Sequence, residues 1–508
     1  MSVEELEKLL VHHQKRYTLS SLLTDAKVGS KIFRKERRND FIYDNHPDGN
    51  YSRLFGTPLH FACMDEDGPR GQAKIEILLR RAKEVMIDTW IMLNAKTKSA
   101  VLQWDSSFKT LNEGDGNEPI YYLLRNEFST SDAVRSICQA WPPIVHQLFR
   151  KQSTLYMACD FHWIRGERTD RLIARRLRMA KELLVAAKKT KEGARHLILL
   201  ENFLNWSMRP NSPLSVVTHT LEEPHLFIST LLQECPDALL YCKSGHCCAR
   251  ATSPFHNVLR LNSLGIKSHA ARIESLLAFL RHSTTEAIAF ALLYVDIQSG
   301  EIAHIQQNPE SGFALLQKAL EHDEHSPTEA EMSEILHALT RFCDGDRNTV
   351  LHHSAMSTLE LDPMHVAAER EKILRRRNIL DDTGLDLNES EIEELHQAIN
   401  KWREYKQKQL VDLFEWVQKK DDTAPTQPNK AKLTPLDILA SRHHWTRGLK
   451  GIASLRPHWP MTKSDAYNIY PFMIAASVPC EPDLNTIYEL LRFAPQCCKF
   501  VSSLLDGT

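Results

Sequence analysis

With 508 residues, the chain exceeds the roughly 250 to 300 residues at which one hydrophobic core stops growing, so a single core is excluded and several domains or a repeat array is required. Apolar residues at 42% and charged residues at 25% exclude global disorder, and a formal net charge of −2 gives no overall pull toward nucleic acid or anionic lipid. Glycine, at 18 residues, falls to about half its usual share, which disfavours many tight hairpins and glycine-lined phosphate sites and leaves helix as the default.

The N-terminus, "MSVEELEKLLVHHQKRY", is charged and amphipathic rather than apolar, and a basic run, "KIFRKERR" from Lys31, has the composition of a surface helix or of a nuclear-import signal. At Thr57 the chain reads "TPLHFAC", and related heptapeptides follow it. They are "EPIYYLL" from Glu118, "STLYMAC" from Ser153, "SPLSVVT" from Ser212, "SPFHNVL" from Ser253, "TVLHHSA" from Thr349, "TPLDILA" from Thr434 and "YPFMIAA" from Tyr470. Each predicts a helix start. A Ser or Thr hydroxyl accepts a hydrogen bond from the open N–H groups of the first turn, and Pro at the first helical position loses no bond while presetting φ. The large apolar residue that follows points inward, and small residues such as Ala62, Ala158, Ala355, Ala440 and Ala475 let a neighbouring helix come close.

Second helices are predicted after five of these starts, in "KIEILLRRAKEVM" from Lys74, "SDAVRSICQAWPPIV" from Ser131, "LFISTLLQECPDALL" from Leu226, "RIESLLAFLRHS" from Arg272 and "LNTIYELLRFAPQCC" from Leu484. All carry apolar residues at i, i+3, i+4 and i+7. Three run into a proline, at Pro142, Pro236 and Pro495, whose ring and missing N–H stop a helix. The longest apolar run, "AIAFALLYV" at 287–295, is too short for a membrane span and predicts a buried helix.

The run Thr57, Pro58, Leu59, His60, repeated in part as Thr349 with His352 and as Thr434 with Pro435, resembles the Thr-Pro-Leu-His opening of the ankyrin-repeat unit. The resemblance implies an all-α fold, an elongated solenoid of ankyrin-like helix pairs with helical insertions. It also implies that His60 and His352 are structural, tying loops together. Spacing departs from the family's unit of about 33 residues: two intervals, Pro119 to Leu155 and Pro435 to Pro471, are 36 residues, and the others run from 41 to 96. Glycine-rich hairpins are largely missing, which leaves the extended β-like finger that the family uses as a binding surface without its usual sequence support. The expected division is a lead-in or cap over 1–50, repeats with a basic helical insertion over 51–282, a helical insertion or divergent repeats over 283–348, a divergent repeat with a long helix and linker over 349–433, and C-terminal repeats over 434–508.

Between the units, residues 164–195 carry 11 Lys/Arg against 4 Asp/Glu. They read as a solvated helix whose long side chains cover apolar surface, with an anionic partner surface, nucleic acid or acidic lipid, as the alternative; Arg175, Arg176 and Arg178 would then carry it. A long helix is predicted over 388–420, opened by a capping box of Asn388 and Glu391; its broken heptads favour packing over a coiled coil. The polar "DDTAPTQPNKAK" after it reads as an exposed linker or loop.

No chemistry-bearing motif emerges. Cys235, Cys242, His246, Cys247 and Cys248 crowd one junction without the paired spacing that structural zinc wants, and His352/His353 and His443/His444 are not joined by any nucleophile or glycine-loop signature. The 11 scattered cysteines, with no secretory signal, are expected to be reduced thiols in an intracellular protein, cytoplasmic or nuclear. The expected function is therefore a monomeric, non-enzymatic scaffold or adaptor that binds unidentified protein partners, without cofactor, metal or membrane, nucleic acid being disfavoured. Asp65, Asn126 and Asp160, just beyond the inner-helix motif, are the expected partner contacts, because solenoid geometry sends that end of the helix toward the open face. A convergent enzyme site in the long interval 283–348 remains the third class.

Overall fold

All eight heptapeptides start a helix where the capping chemistry predicts it. A computed structural model of the chain describes residues 2–13, 52–55, 57–65, 67–84, 98–101, 118–149, 152–161, 170–200, 212–241, 253–260, 268–294, 311–321, 327–357, 370, 373, 387–442, 458–477 and 484–496. Helices dominate them, in two compact units, Met1–Cys235 and Pro236–Thr508.

The first unit contains α1 (Val3–His13), α2 (Pro58–Cys63), α3 (Gly68–Glu84), α4 (Pro119–Arg125), α5 (Ser131–Ala140), α6 (Thr154–Cys159), α7 (Asp170–Ala187), α8 (Gly193–Leu199), α9 (Pro213–Thr220) and α10 (His225–Glu234). The motif helices α2, α4, α6 and α9 pack side by side in that order, and each packs on the helix that follows it in the pair, α3, α5, α7 and α10, which form a second row. The lead-in helix α1 buries Leu6 and Leu10, packs on α3 and adds an Arg80–Glu7 ion pair at 2.7 Å.

In the second unit lie α11 (Ala238–Tyr241), α12 (Pro254–Leu259), α13 (His269–His282), α14 (Thr285–Leu293), α15 (Gly312–Leu320), α16 (Glu329–Thr340), α17 (Val350–Met356), α18 (Glu389–Lys420), α19 (Pro435–Arg442), α20 (Pro471–Ala476) and α21 (Leu484–Phe493). Here α14, α17, α19 and α20 are successive neighbours, and α12 packs on α13 and α15. The apolar run at 287–295 is the buried helix expected, α14, and the long helix starts at the predicted box: Asn388 Oδ1 accepts from the Glu391 N–H at 3.0 Å while Glu391 accepts from the Asn388 N–H at 2.8 Å. The long helix buries Trp402, Leu410, Leu413, Phe414 and Val417 and packs on α14, α15 and α17.

Local chemistry explains most boundaries. Thr130, Ser153, Ser212, Ser253, Ser268, Thr284, Ser311, Thr328 and Asn388 each accept a first-turn N–H through the side chain. The prolines act as expected, α5 ending at Ala140 before Pro142, α10 at Glu234 before Pro236 and α21 at Phe493 before Pro495. Leu59, Ile120, Leu155, Leu214, Phe255, Leu351 and Leu436 are all fully buried, each worth about 2 kcal/mol of transfer free energy.

Three features differ from the sequence reading. Two antiparallel strand pairs interrupt the helices: β1 (Ser52–Phe55) with β2 (Lys98–Val101), and β3 (Leu148–Phe149) with β4 (Gln152–Ser153). β1 leads into Thr57 and β4 ends on the N-cap of α6, so finger-like strands precede motif helices without glycine-rich loops. The loop at 421–432 is exposed in part, as expected, but it also makes a short 3-10 turn, Ala424–Thr426, that buries Ala424 and Pro425. Over 283–348 the chain forms three capped helices, two of which, α15 and α16, no motif had marked. At the start of α15, Gly312 donates to the Tyr294 carbonyl at 3.1 Å, and a Cβ there would lie 2.1 Å from the Ala291 oxygen, so the close approach to α14 needs glycine.

Candidate functional site

The motif histidines work as reach-back caps. In α2 the Thr57 N–H donates to His60 Nδ1 at 3.1 Å and the Thr57 hydroxyl lies 2.8 Å from the same nitrogen. A backbone N–H can only donate, so Nδ1 carries the lone pair and the ring is the neutral Nε2–H tautomer. Thr349 and His352 repeat the arrangement at 3.1 and 2.9 Å, and Ser253 Oγ sits 2.8 Å from His256 Nδ1. In α19 a carboxylate takes the ring's place: the Thr434 N–H donates to Asp437 Oδ2 at 3.1 Å, and the Asp437 N–H donates back to Thr434 Oγ1 at 3.1 Å. His352 also donates from Nε2 to the Leu433 carbonyl at 3.1 Å, joining two loops. Burial, opposed by the Leu433 carbonyl, lowers the His352 pKa to about 4.

Three turns that enter α17, α19 and α20 form the most repetitive surface of the second unit. The residue two places before each helix N-cap holds a left-handed backbone, Arg347 at φ 62°, Lys432 at φ 62° and Asn468 at φ 54°. These are the only non-glycine residues with positive φ among the described residues. In the first turn Asp344 Oδ1 accepts from the N–H groups of Asp346 and Asn348 at 2.8 Å each, and Oδ2 accepts from His353 Nε2 at 2.9 Å. Burial would raise the Asp344 carboxyl, but the bonds from Asn348 and His353 outweigh it and hold it low. In the second turn Asn429 plays that part, its Oδ1 accepting from the Leu433 N–H at 3.0 Å, and in the third Ser464 Oγ accepts from the Ala466 N–H at 3.3 Å.

The first two turns are bonded to one another, and the third to the start of α19. The Lys430 N–H donates to the Asp346 carbonyl at 2.9 Å, Asn429 Nδ2 to Asn348 Oδ1 at 2.9 Å, and the Ser464 hydroxyl to Asp437 Oδ2 at 3.1 Å. Sequence reasoning missed Arg347, Lys432 and Asn468 because it sought glycine at the turns. The available signal was the fixed offset from Thr349, Thr434 and Tyr470, with Asp, Asn or Ser a few residues earlier.

The expected contact residues of the first unit lie inside it. Asp65 is 2% exposed and accepts from Arg70 Nη2 at 2.7 Å and from Lys74 Nζ at 2.5 Å. Burial alone would raise its carboxyl, but these bonds outweigh it and hold the pKa at about 2. Asn126 is brought to the same place, its Nδ2 donating to the carbonyls of Cys63 at 3.1 Å and Asp65 at 2.8 Å. Asp160 is 3% exposed, near Arg176. All three are therefore fasteners at the C-terminal ends of α2, α4 and α6 in this structure, which differs from the open-face placement expected of them.

The basic helix α7 is also less available than its charge count suggests. Arg176 is 3% exposed and donates to the carbonyls of Leu124 and Met157, the latter at 3.3 Å. Burial, opposed by Asp160, brings it down to about 10, so it stays charged at neutral pH. Arg175 donates to the Glu127 carbonyl, and Lys188 pairs with Glu234 at 2.6 Å; Arg171, Arg178 and Lys181 remain exposed. Residues 164–169 lie outside the described residues, as do Cys242, His246, Cys247, Cys248, His443, His444 and the run from Lys31. Among the described residues no cluster of three or more His, Cys, Asp or Glu is placed to hold a metal, none of the five described cysteines is in a disulfide, and no helix is long and apolar enough to cross a membrane. No family model matches the chain, and comparison with curated proteins finds no matching relative.

Proposed function

We propose that this chain is a non-enzymatic protein-binding scaffold, a solenoid of ankyrin-like helix pairs that presents its inter-repeat turns and motif helices to a partner. The observation that carries the reading is the recurrence of one turn geometry at one offset before α17, α19 and α20, with the first two turns hydrogen-bonded to one another and the third bonded to the start of α19. Such recurrence is what nearest-neighbour stacking of like units requires, because each unit cannot bury its apolar face alone. The paired rows of the first unit support the same reading, and the uneven motif spacing is accounted for by helices such as α15, α16 and α18 that lie between motif helices. Affinity capture with the full chain from extract of its native cells, followed by identification of the retained proteins, tests it. Stoichiometric retention of defined proteins, reduced when exposed turn residues are charge-reversed and the thermal transition is unchanged, is the expected result; retention that ignores those changes everywhere on the turns and motif helices counts against it.

A further inference from the structure

Resting on that scaffold reading, we propose that the row of turns at 344–348, 429–433 and 464–469 docks an extended acidic segment of a partner protein, gripped by Arg347 and Lys432. The turns demand a left-handed residue, the conformation that glycine adopts without strain, yet the chain places two long basic side chains there. Every hydrogen bond of these turns uses backbone groups or Asp344, Asn348, Asn429 and Ser464, so the fold makes no use of the two basic heads. Among the described residues neither the Arg347 guanidinium nor the Lys432 ammonium meets a partner, and both side chains are exposed. Strain retained where a simpler residue would fit points to a role outside folding.

The other charges on the row do not cancel them. Asp346 faces Lys430 at 3.8 Å, Asp344 is taken up by the Asn348 N–H and by His353, and Lys463 lies over the Tyr470 ring at 5.5 Å, which leaves Arg347 and Lys432 as the two basic heads of the row that nothing engages. Tyr467, 52% exposed, adds a rigid aromatic face on the third turn. The turns feed α17, α19 and α20, which pack as successive neighbours, and packed helices lie about 8–10 Å apart. A polyproline II segment repeats its face every third residue with about 3.1 Å per residue, so carboxylates at every third position recur at nearly the same interval. The ligand class is thus an acidic, extended peptide with that spacing, held through bidentate guanidinium and ammonium contacts.

The test is fluorescence anisotropy of the full chain with a synthetic peptide of about twelve residues bearing glutamate at every third position, beside an isomer with its glutamates in one block. The spaced peptide should bind more tightly than the isomer and weaken with added salt, and the double substitution Arg347→Gly with Lys432→Gly should cost about tenfold in affinity. Because glycine suits both positions, the melting temperature of that variant should not fall, so lost binding is not lost folding. Equal binding by the double variant, or equal binding of the two peptides, overturns the proposal. A single-stranded RNA that outcompetes the spaced peptide and loses affinity in the same variant overturns it in favour of a nucleic-acid surface. Failure of the peptide while capture from extract still retains proteins removes the acidic segment alone; failure of both removes the scaffold reading with it.

Discussion

In the unit Met1–Cys235 charged groups fasten the C-terminal ends of motif helices, Arg176 on the carbonyls of Leu124 and Met157 and Asp65 between Arg70 and Lys74, with the neutral Asn126 amide beside them on the carbonyls of Cys63 and Asp65. In Pro236–Thr508 the joins cluster at helix N-termini, where His352 and Asn429 link turn to turn and Ser464 donates to Asp437, and Arg442 adds one cation on the Met356 carbonyl at the end of α17. A cation at a helix C-terminus satisfies open carbonyls and the dipole together, and stays ionised across the working pH range. A neutral imidazole that accepts on one nitrogen and donates on the other works only while unprotonated. Fasteners of the two kinds should therefore fail under different insults.

The largest expected effect is Arg176→Met, which strands two carbonyls and the Asp160 carboxylate; it should cost the first unit about 3–5 kcal/mol, read by hydrogen exchange of α4 and α6 amides, with the second unit unmoved. Asp65→Asn should follow at about 3 kcal/mol by leaving Lys74 buried without its partner, and adding Lys74→Met should restore most of the loss in urea unfolding. Acidification of the imidazole fastener His352 comes next. The folded pKa of His352 is depressed from 6.5 to about 4, so its contribution is present above pH 6.5 and lost as pH falls toward 4. At pH 5 exchange in α17 and α19 should have weakened by about 2 kcal/mol, a step missing in His352→Asn. The contribution of Asp65, depressed from 3.8 to about 2, is kept until pH drops below its unfolded value. Loss of the α18 cap in Asn388→Ala should cost about 1 kcal/mol in thermal unfolding. Smallest, and of opposite sign, Arg347→Gly should gain about 0.5 kcal/mol, because relief of the left-handed penalty exceeds the added chain entropy of glycine. A melting temperature lowered by Arg347→Gly would mean that the guanidinium holds the turn, and the contrast between fold and surface at that position would collapse.

Much of the secondary structure was legible because its causes span only a few residues. A Ser, Thr or Asn hydroxyl or amide reaches an N–H three residues on, a proline stops the helix before it, and the Asn388–Glu391 box closes within one turn. The turns were misread because glycine is the usual mark of a left-handed residue, and Arg347, Lys432 and Asn468 hold that conformation through bonds made around them. The contact site was misplaced for a different reason. Asp65 and Asn126 are 61 residues apart in the chain, and Arg176 reaches carbonyls 52 and 19 residues away, so whether these polar groups face solvent depended on neighbours that no local pattern names. By itself the sequence determined the helices, their caps and the repeated start. Which charges were consumed as fasteners and which were left exposed was decided by packing alone, since the cost of burying a charge is met only where distant partners converge on it.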